Sequence, residues 1–100
     1  MDMENTEEIK EIKDILKENG YYAEDVYQDS TCPNVVYIVE IEGDWRHDHL
    51  AAMHFLSEKG WNEIKNVEIG DSMDDWYRSR HYVMKASKEY ISALFEMFAA

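Results

Sequence analysis

The run VVYIVEIE at residues 35–42 constrains the fold more than any other stretch of the chain. Side chains alternate across a strand. Val35, Tyr37, Val39 and Ile41 therefore share one face, and Val36, Ile38, Glu40 and Glu42 share the other. A wholly apolar face has to be covered, so the run predicts a central strand with helices packed against that face. Three more segments have strand composition: YYAEDVYQD (21–29), WNEIKNVEI (61–69) and WYRSRHYVMKA (76–86). STCPN and GDSMDD supply the turns between the two pairs of strands.

Helical signals fill the remainder. NTEEIKEIKDILKENG (5–20) carries Ile9, Ile12 and Leu16 as an apolar stripe with Ile15 beside it, begins at a capping Asn5 or Thr6, and stops at Gly20. A second helix opens at GDW with Asp44 as its N-cap and closes at Gly60. Ser87 caps a last helix bearing Tyr90, Ile91, Leu94, Phe95, Met97 and Phe98. The predicted fold class is α+β: a four-stranded, mainly antiparallel sheet with three helices in the order α-β-β-α-β-β-α, forming a single domain over residues 1–100.

The chain also echoes itself. ILKENGYY (15–22) aligns with FLSEKGWN (55–62) at an offset of 40, matching Leu16 with Leu56, Glu18 with Glu58, Gly20 with Gly60 and Tyr21 with Trp61. Asp29-Ser30 and Asp71-Ser72 mark the two turns at an offset of 42. Two copies of an αββ unit account for this, as does the general habit of a helix ending in Gly before an aromatic strand.

Composition narrows the function classes. The chain carries 22 acidic residues against 10 basic ones, a formal net charge of −12. Such a charge repels nucleic acid and anionic membranes and attracts basic partners. One cysteine, Cys32, excludes an intrachain disulfide and suits a reducing cytoplasm. The acidic start MDMENTEEIK is unlike a signal peptide, and the longest apolar runs are far short of the ~20 residues of a membrane span. No GxSxG, phosphate-cradling glycine loop or paired zinc motif is present, so the expectation is a non-enzymatic protein without a cofactor.

The first helix sorts its charges. Glu7, Glu11, Asp14 and Glu18 line one flank, while Lys10, Lys13 and Lys17 line another. With Glu40 and Glu42 on the second strand and Asp71, Asp74 and Asp75 at the last hairpin turn, these acids form the candidate partner-binding set. From Glu4 to Glu18 carboxylates recur about every 5 Å along the axis, whereas duplex DNA carries a charge about every 1.7 Å. One helix therefore cannot imitate a duplex alone; it can join other acidic clusters.

Two alternative sites compete with that set. Arg78 and Arg80, with Trp76, form an aromatic and basic face on the fourth strand suited to an anionic ligand. Equally, those arginines can pair across strands with the surplus acids. His47, Asp48 and His54 on the second helix are candidate metal ligands, although residues seven apart lie about 10 Å apart along the axis. His49 corresponds to Ile9 in the repeat and is expected in or beside the core.

In composition the chain resembles phage-encoded inhibitors of bacterial defence nucleases and other DNA mimics, such as anti-CRISPR or anti-restriction proteins. The resemblance implies a small cytoplasmic inhibitor that binds a basic surface on a nuclease or another nucleic-acid-binding protein. Toxin-neutralising immunity proteins and antitoxins use acidic surfaces in the same way. A small ligand-binding or metal-binding domain is the further alternative.

Overall fold

A computed structural model of the protein describes residues 7–32, 35–43, 46–69 and 77–99. The elements run α1 (Glu7–Glu18), β1 (Ala23–Gln28), β2 (Val36–Gly43), α2 (Arg46–Glu58), β3 (Trp61–Glu68), β4 (Tyr77–Lys85) and α3 (Lys88–Ala99). This is the α+β order read from the sequence. No described helix is long and apolar enough to cross a membrane.

The sheet order is β1-β2-β4-β3, with every pairing antiparallel. β2 is central, as its apolar face requires. Tyr37, Val39 and Ile41 pack with Val26, Trp61 and Val83 beneath Ile9, Ile12, Ile15 and Leu16 of α1 and Ala52, Met53 and Leu56 of α2. Val35 departs from the expected strand: it precedes β2 and is 47 % exposed. Fully burying one Ile or Leu contributes about 1.5–3 kcal/mol, and Ile12 and Leu56 are completely enclosed. The apolar stripes of α1 and α2 thus hold both helices to one face of the sheet.

Helix ends follow from local chemistry. At the close of α1 the Tyr21 N–H donates to the Leu16 carbonyl (2.8 Å) and the Gly20 N–H to the Lys17 carbonyl (3.1 Å). Gly20 takes φ 80°, the left-handed conformation that this C-terminal motif demands and that glycine adopts without cost. Gly60 closes α2 in the same way at φ 92°. Ser87 caps α3 by accepting from the Tyr90 N–H at 3.1 Å.

The halves are arranged alike. Each is a helix ending in a left-handed glycine and followed by an antiparallel strand pair, and the two second strands meet at the centre. The register shift in β1 falls between Ala23 and Asp25, and that in β3 between Glu63 and Lys65, the same 40-residue offset. Val39 lies directly opposite His81 in the central pairing, 42 residues away. Among the described residues α3 has no counterpart in the first half; it lies beside α2 and the start of β3, burying Ile91 and leaving Tyr90, Phe95 and Met97 exposed.

Candidate partner-binding surface and a buried polar cluster

α1 presents its sorted charges to two separate grooves. The acidic flank, Glu7, Glu11, Asp14 and Glu18, lines a groove whose basic residues are Lys10, Lys59 and Lys85. Lys13 and Lys17 line a second groove with Tyr21, Tyr22, Ala23 and Glu24. The structure thereby divides the acidic row by what each carboxylate touches. Glu11 accepts from the Lys85 ammonium (2.9 Å) and from the Trp61 indole N–H. The Lys85 hydrogen bond, aided by Trp61, holds Glu11 below the usual carboxylate range against the opposing effect of burial. Asp14 pairs with Lys10 at 2.7 Å on the open surface, a contact of little net energy there. Glu7 and Glu18 are exposed and make no ion pair among the described residues.

Glu40 and Glu42 are tied to the arginines of β4. Register sets Glu40 opposite Arg80 and Glu42 opposite Arg78. Arg80 reaches the Glu40 carboxylate at 2.8 Å through Nη2 and 2.9 Å through Nε, and Arg78 lies 3.8 Å from Glu42. The Tyr27 hydroxyl also donates to Glu40 at 2.8 Å. Burial would push Glu40 up, but the hydrogen bonds from Tyr27 and Arg80 outweigh it and leave the group below its ordinary value. Burial, reinforced by that same contact to Glu40, pushes the Tyr27 phenol up to about 12. The Arg78 and Arg80 face is therefore a cross-strand charge lattice. Trp76, Asp71, Asp74 and Asp75 lie outside the described residues.

On α2, His54 is exposed and sits 3.6 Å from Glu58. The side chains of His47 and Asp48 lie outside the described set. Among the described residues no three His, Cys, Asp or Glu side chains gather closely enough to hold a metal ion.

A connected polar group lies in the interior that no single sequence motif announces. Ser79 and His81, two apart on β4, face the helices; Ser79 Oγ lies 2.7 Å from His81 Nε2. His81 Nδ1 bonds the Glu63 carboxylate of β3, and His49 of α2 stacks on the His81 ring with centroids 4.9 Å apart. Glu63 also accepts from Asn66 at 3.0 Å. Its burial, the largest single influence, favours the neutral acid, yet the hydrogen bonds from His81 and Asn66 together hold it below the usual carboxylate range.

This chain of Ser, His and Glu has the connectivity of a hydrolytic triad, but Ser79 is 1 % and His81 0 % exposed. It ties β3, β4 and α2 together in the interior. The available signal was the S-x-H spacing on a strand, which puts both side chains on one face; which face, and which acid lies opposite, depended on the sheet order.

Against these features, no protein-family model matches the chain, and no curated protein or solved structure matches it either.

Proposed function

We propose that this domain is a non-enzymatic interaction protein that binds a basic surface on a partner protein, with a nuclease or another nucleic-acid-binding protein as the partner class. The observation that carries the reading is how the surplus of acid is distributed. The molecule carries a formal net charge of −12 on 6835 Å² of accessible surface, about one net charge per 570 Å². Four basic residues, Lys10, Lys85, Arg78 and Arg80, are taken up by ion pairs within the molecule. Glu7, Glu8, Glu18, Glu24 and Asp25 remain exposed on α1 and β1 without an ion pair among the described residues. Exposed unpaired carboxylates steer a basic partner, most strongly at low salt, whereas carboxylates neutralised by a cation of the same molecule contribute little. Occupation of a nucleic-acid-binding groove uses this field directly, because that groove is built to receive negative charge.

The test reverses charge where the fold does not use it. Glu7→Lys with Glu18→Lys leaves every described ion pair intact, whereas Glu11→Lys also breaks the Lys85 contact. Wild-type protein immobilised for capture from the source-cell lysate should retain a basic protein that elutes as salt rises past about 0.1–0.3 M. The doubly reversed variant should lose it at lower salt. Equal retention of the same partner by both proteins in low salt would sink the electrostatic reading.

A further inference from the structure

The interior polar cluster reaches the surface through Glu63. That residue stands on the wall of an open cavity of about 440 Å³ between α2, the start of β3 and α3, with its side chain 28 % exposed. His81 bonds one carboxylate oxygen and Asn66 the other, and Ser79 bonds the far nitrogen of the His81 ring. A carboxylate offers about four acceptor sites, so about two remain here for a further donor. The first half of the chain shows that the fold does not need this arrangement: Ala23, Val39 and Ile9 occupy the places of Glu63, His81 and His49. A buried polar network adds little net stability over apolar packing. What the second half gains from it is a carboxylate fixed at a cavity wall, in the way that supporting hydrogen bonds orient a binding group.

The rest of the wall specifies a ligand. Lys88 of α3 lines the same cavity, exposed and without an ion pair among the described residues, so the cavity carries an anion and a cation that do not neutralise each other. Asn62, 7 % exposed, adds an acceptor: its amide nitrogen donates to the Ala86 carbonyl at 2.6 Å, and its amide oxygen meets no donor among the described residues. Met53, Ile91 and Phe95 supply apolar surface. The remaining ionisable group on the wall, His54, is open to solvent and lies 3.6 Å from Glu58. We propose that this cavity binds a small zwitterion with an apolar side chain, an aliphatic α-amino acid, whose ammonium group is held by Glu63 and Asn62 and whose carboxylate is met by Lys88 on its flexible stem. The volume falls within the range of about 300–1,000 Å³ of small-molecule sites, where a few fixed polar groups among apolar walls set the orientation of the ligand. Glu63, held below the usual carboxylate range by His81 and Asn66 against the effect of burial, carries its charge at neutral pH. None of these residues belongs to the acidic row of α1, so the site does not depend on the acidic-surface reading.

The probes are L-leucine, N-acetyl-L-leucine and isoamylamine, each titrated into the intact protein while backbone amide shifts are followed. Leucine should saturate with a Kd of order 1 mM or below, and the shifts should fall at Ser57, Asn62, Glu63, Ile91 and Ser92. N-acetyl-leucine lacks the ammonium charge and should bind about tenfold more weakly. Isoamylamine lacks the carboxylate and should bind about threefold more weakly. Lys88→Met, at an exposed position, should erase the advantage of leucine over isoamylamine. Glu63→Gln retains an acceptor for His81 and should erase the advantage of leucine over its N-acetyl form. His81→Val should narrow that same ratio by freeing the carboxylate, a change that a general loss of packing would not produce. No saturation by about 10 mM leucine, shifts centred elsewhere, N-acetyl-leucine binding as tightly as leucine, or a leucine to isoamylamine ratio indifferent to Lys88→Met would each overturn the proposal. The Glu7 and Glu18 reversals should leave leucine binding unchanged, which separates its failure from that of the acidic surface.

Discussion

The buried Ser79–His81–Glu63 cluster invites a substitution experiment for which the fold supplies its own control. At the equivalent places in the first half stand Tyr37, Val39 and Ala23, and His49 answers to Ile9. The same architecture therefore accepts apolar residues at the places of His81, Glu63 and His49, and at that of Ser79 a tyrosine whose hydroxyl accepts from Gln28 at 3.4 Å. His81→Val alone should be costly. It strands the Ser79 hydroxyl, 1 % exposed, without its 2.7 Å partner, a loss of about 1–3 kcal/mol. Glu63 keeps Asn66, and its side chain is 28 % exposed, so water replaces much of what it loses. Including a small packing defect, the total is about 2–4 kcal/mol from a domain whose stability is of order 5–15 kcal/mol. Ser79→Ala, His81→Val and Glu63→Ala made together leave no member of the chain unsatisfied and should fall within about 1 kcal/mol of wild type. Urea unfolding followed by circular dichroism at neutral pH, with the three single variants and the triple, measures the coupling. If His81→Val is neutral, or if the triple variant loses the sum of the singles, the cluster does not act as one hydrogen-bonded unit and the reasoning is wrong.

Three further outcomes are expected. Glu11, Glu40 and Glu63 are held below the ordinary carboxylate range in the folded state, so their contribution is present above the unfolded value near ~4.3 and is lost as pH falls through the depressed folded values. Urea midpoints should stay level from about pH 7 to 5 and drop below about 4.5, less steeply in Glu63→Gln; a midpoint that climbs steadily on acidification would contradict this. Gly60→Ala should cost about 1 kcal/mol through its φ of 92° alone, because a Cβ there meets only Lys85 Cγ at 3.9 Å; thermal melts of this variant beside Gly60→Asn, which tolerates that conformation better, check the cause. Leu56→Ala, at a fully enclosed position, should lose about 2–5 kcal/mol by chemical denaturation, whereas truncation of the exposed Leu50 should lose little.

Much of the fold was legible because its signals are local. The VVYIVEIE alternation placed β2 at the centre, Gly20 and Gly60 marked both helix ends, and Ser87 marked the start of α3. Even the repeat was visible, at the offset that the paired register shifts now share. The candidate acids were legible only as a list. Glu11 and Glu18 look alike on a helical wheel, yet Glu11 is bound to Lys85 and Trp61, which come from β4 and β3, 74 and 50 residues away. The pairing of Arg80 with Glu40 likewise required β4 to lie beside β2, a neighbour relation that strand composition does not contain.

By itself, then, the sequence determined the element order, the C-terminal ends of α1 and α2, the start of α3, the apolar faces and the net charge, since each depends on residues within a few positions of one another or on a simple count; the expected caps Asn5, Thr6 and Asp44 lie outside the described residues. Tertiary structure alone decided which carboxylates are neutralised and that Ser79, His81 and Glu63 meet. Those outcomes depend on the strand order and on the side of the sheet that each chain segment reaches. Both are settled by the shared burial of residues distant in the chain, so no short window of sequence encodes them.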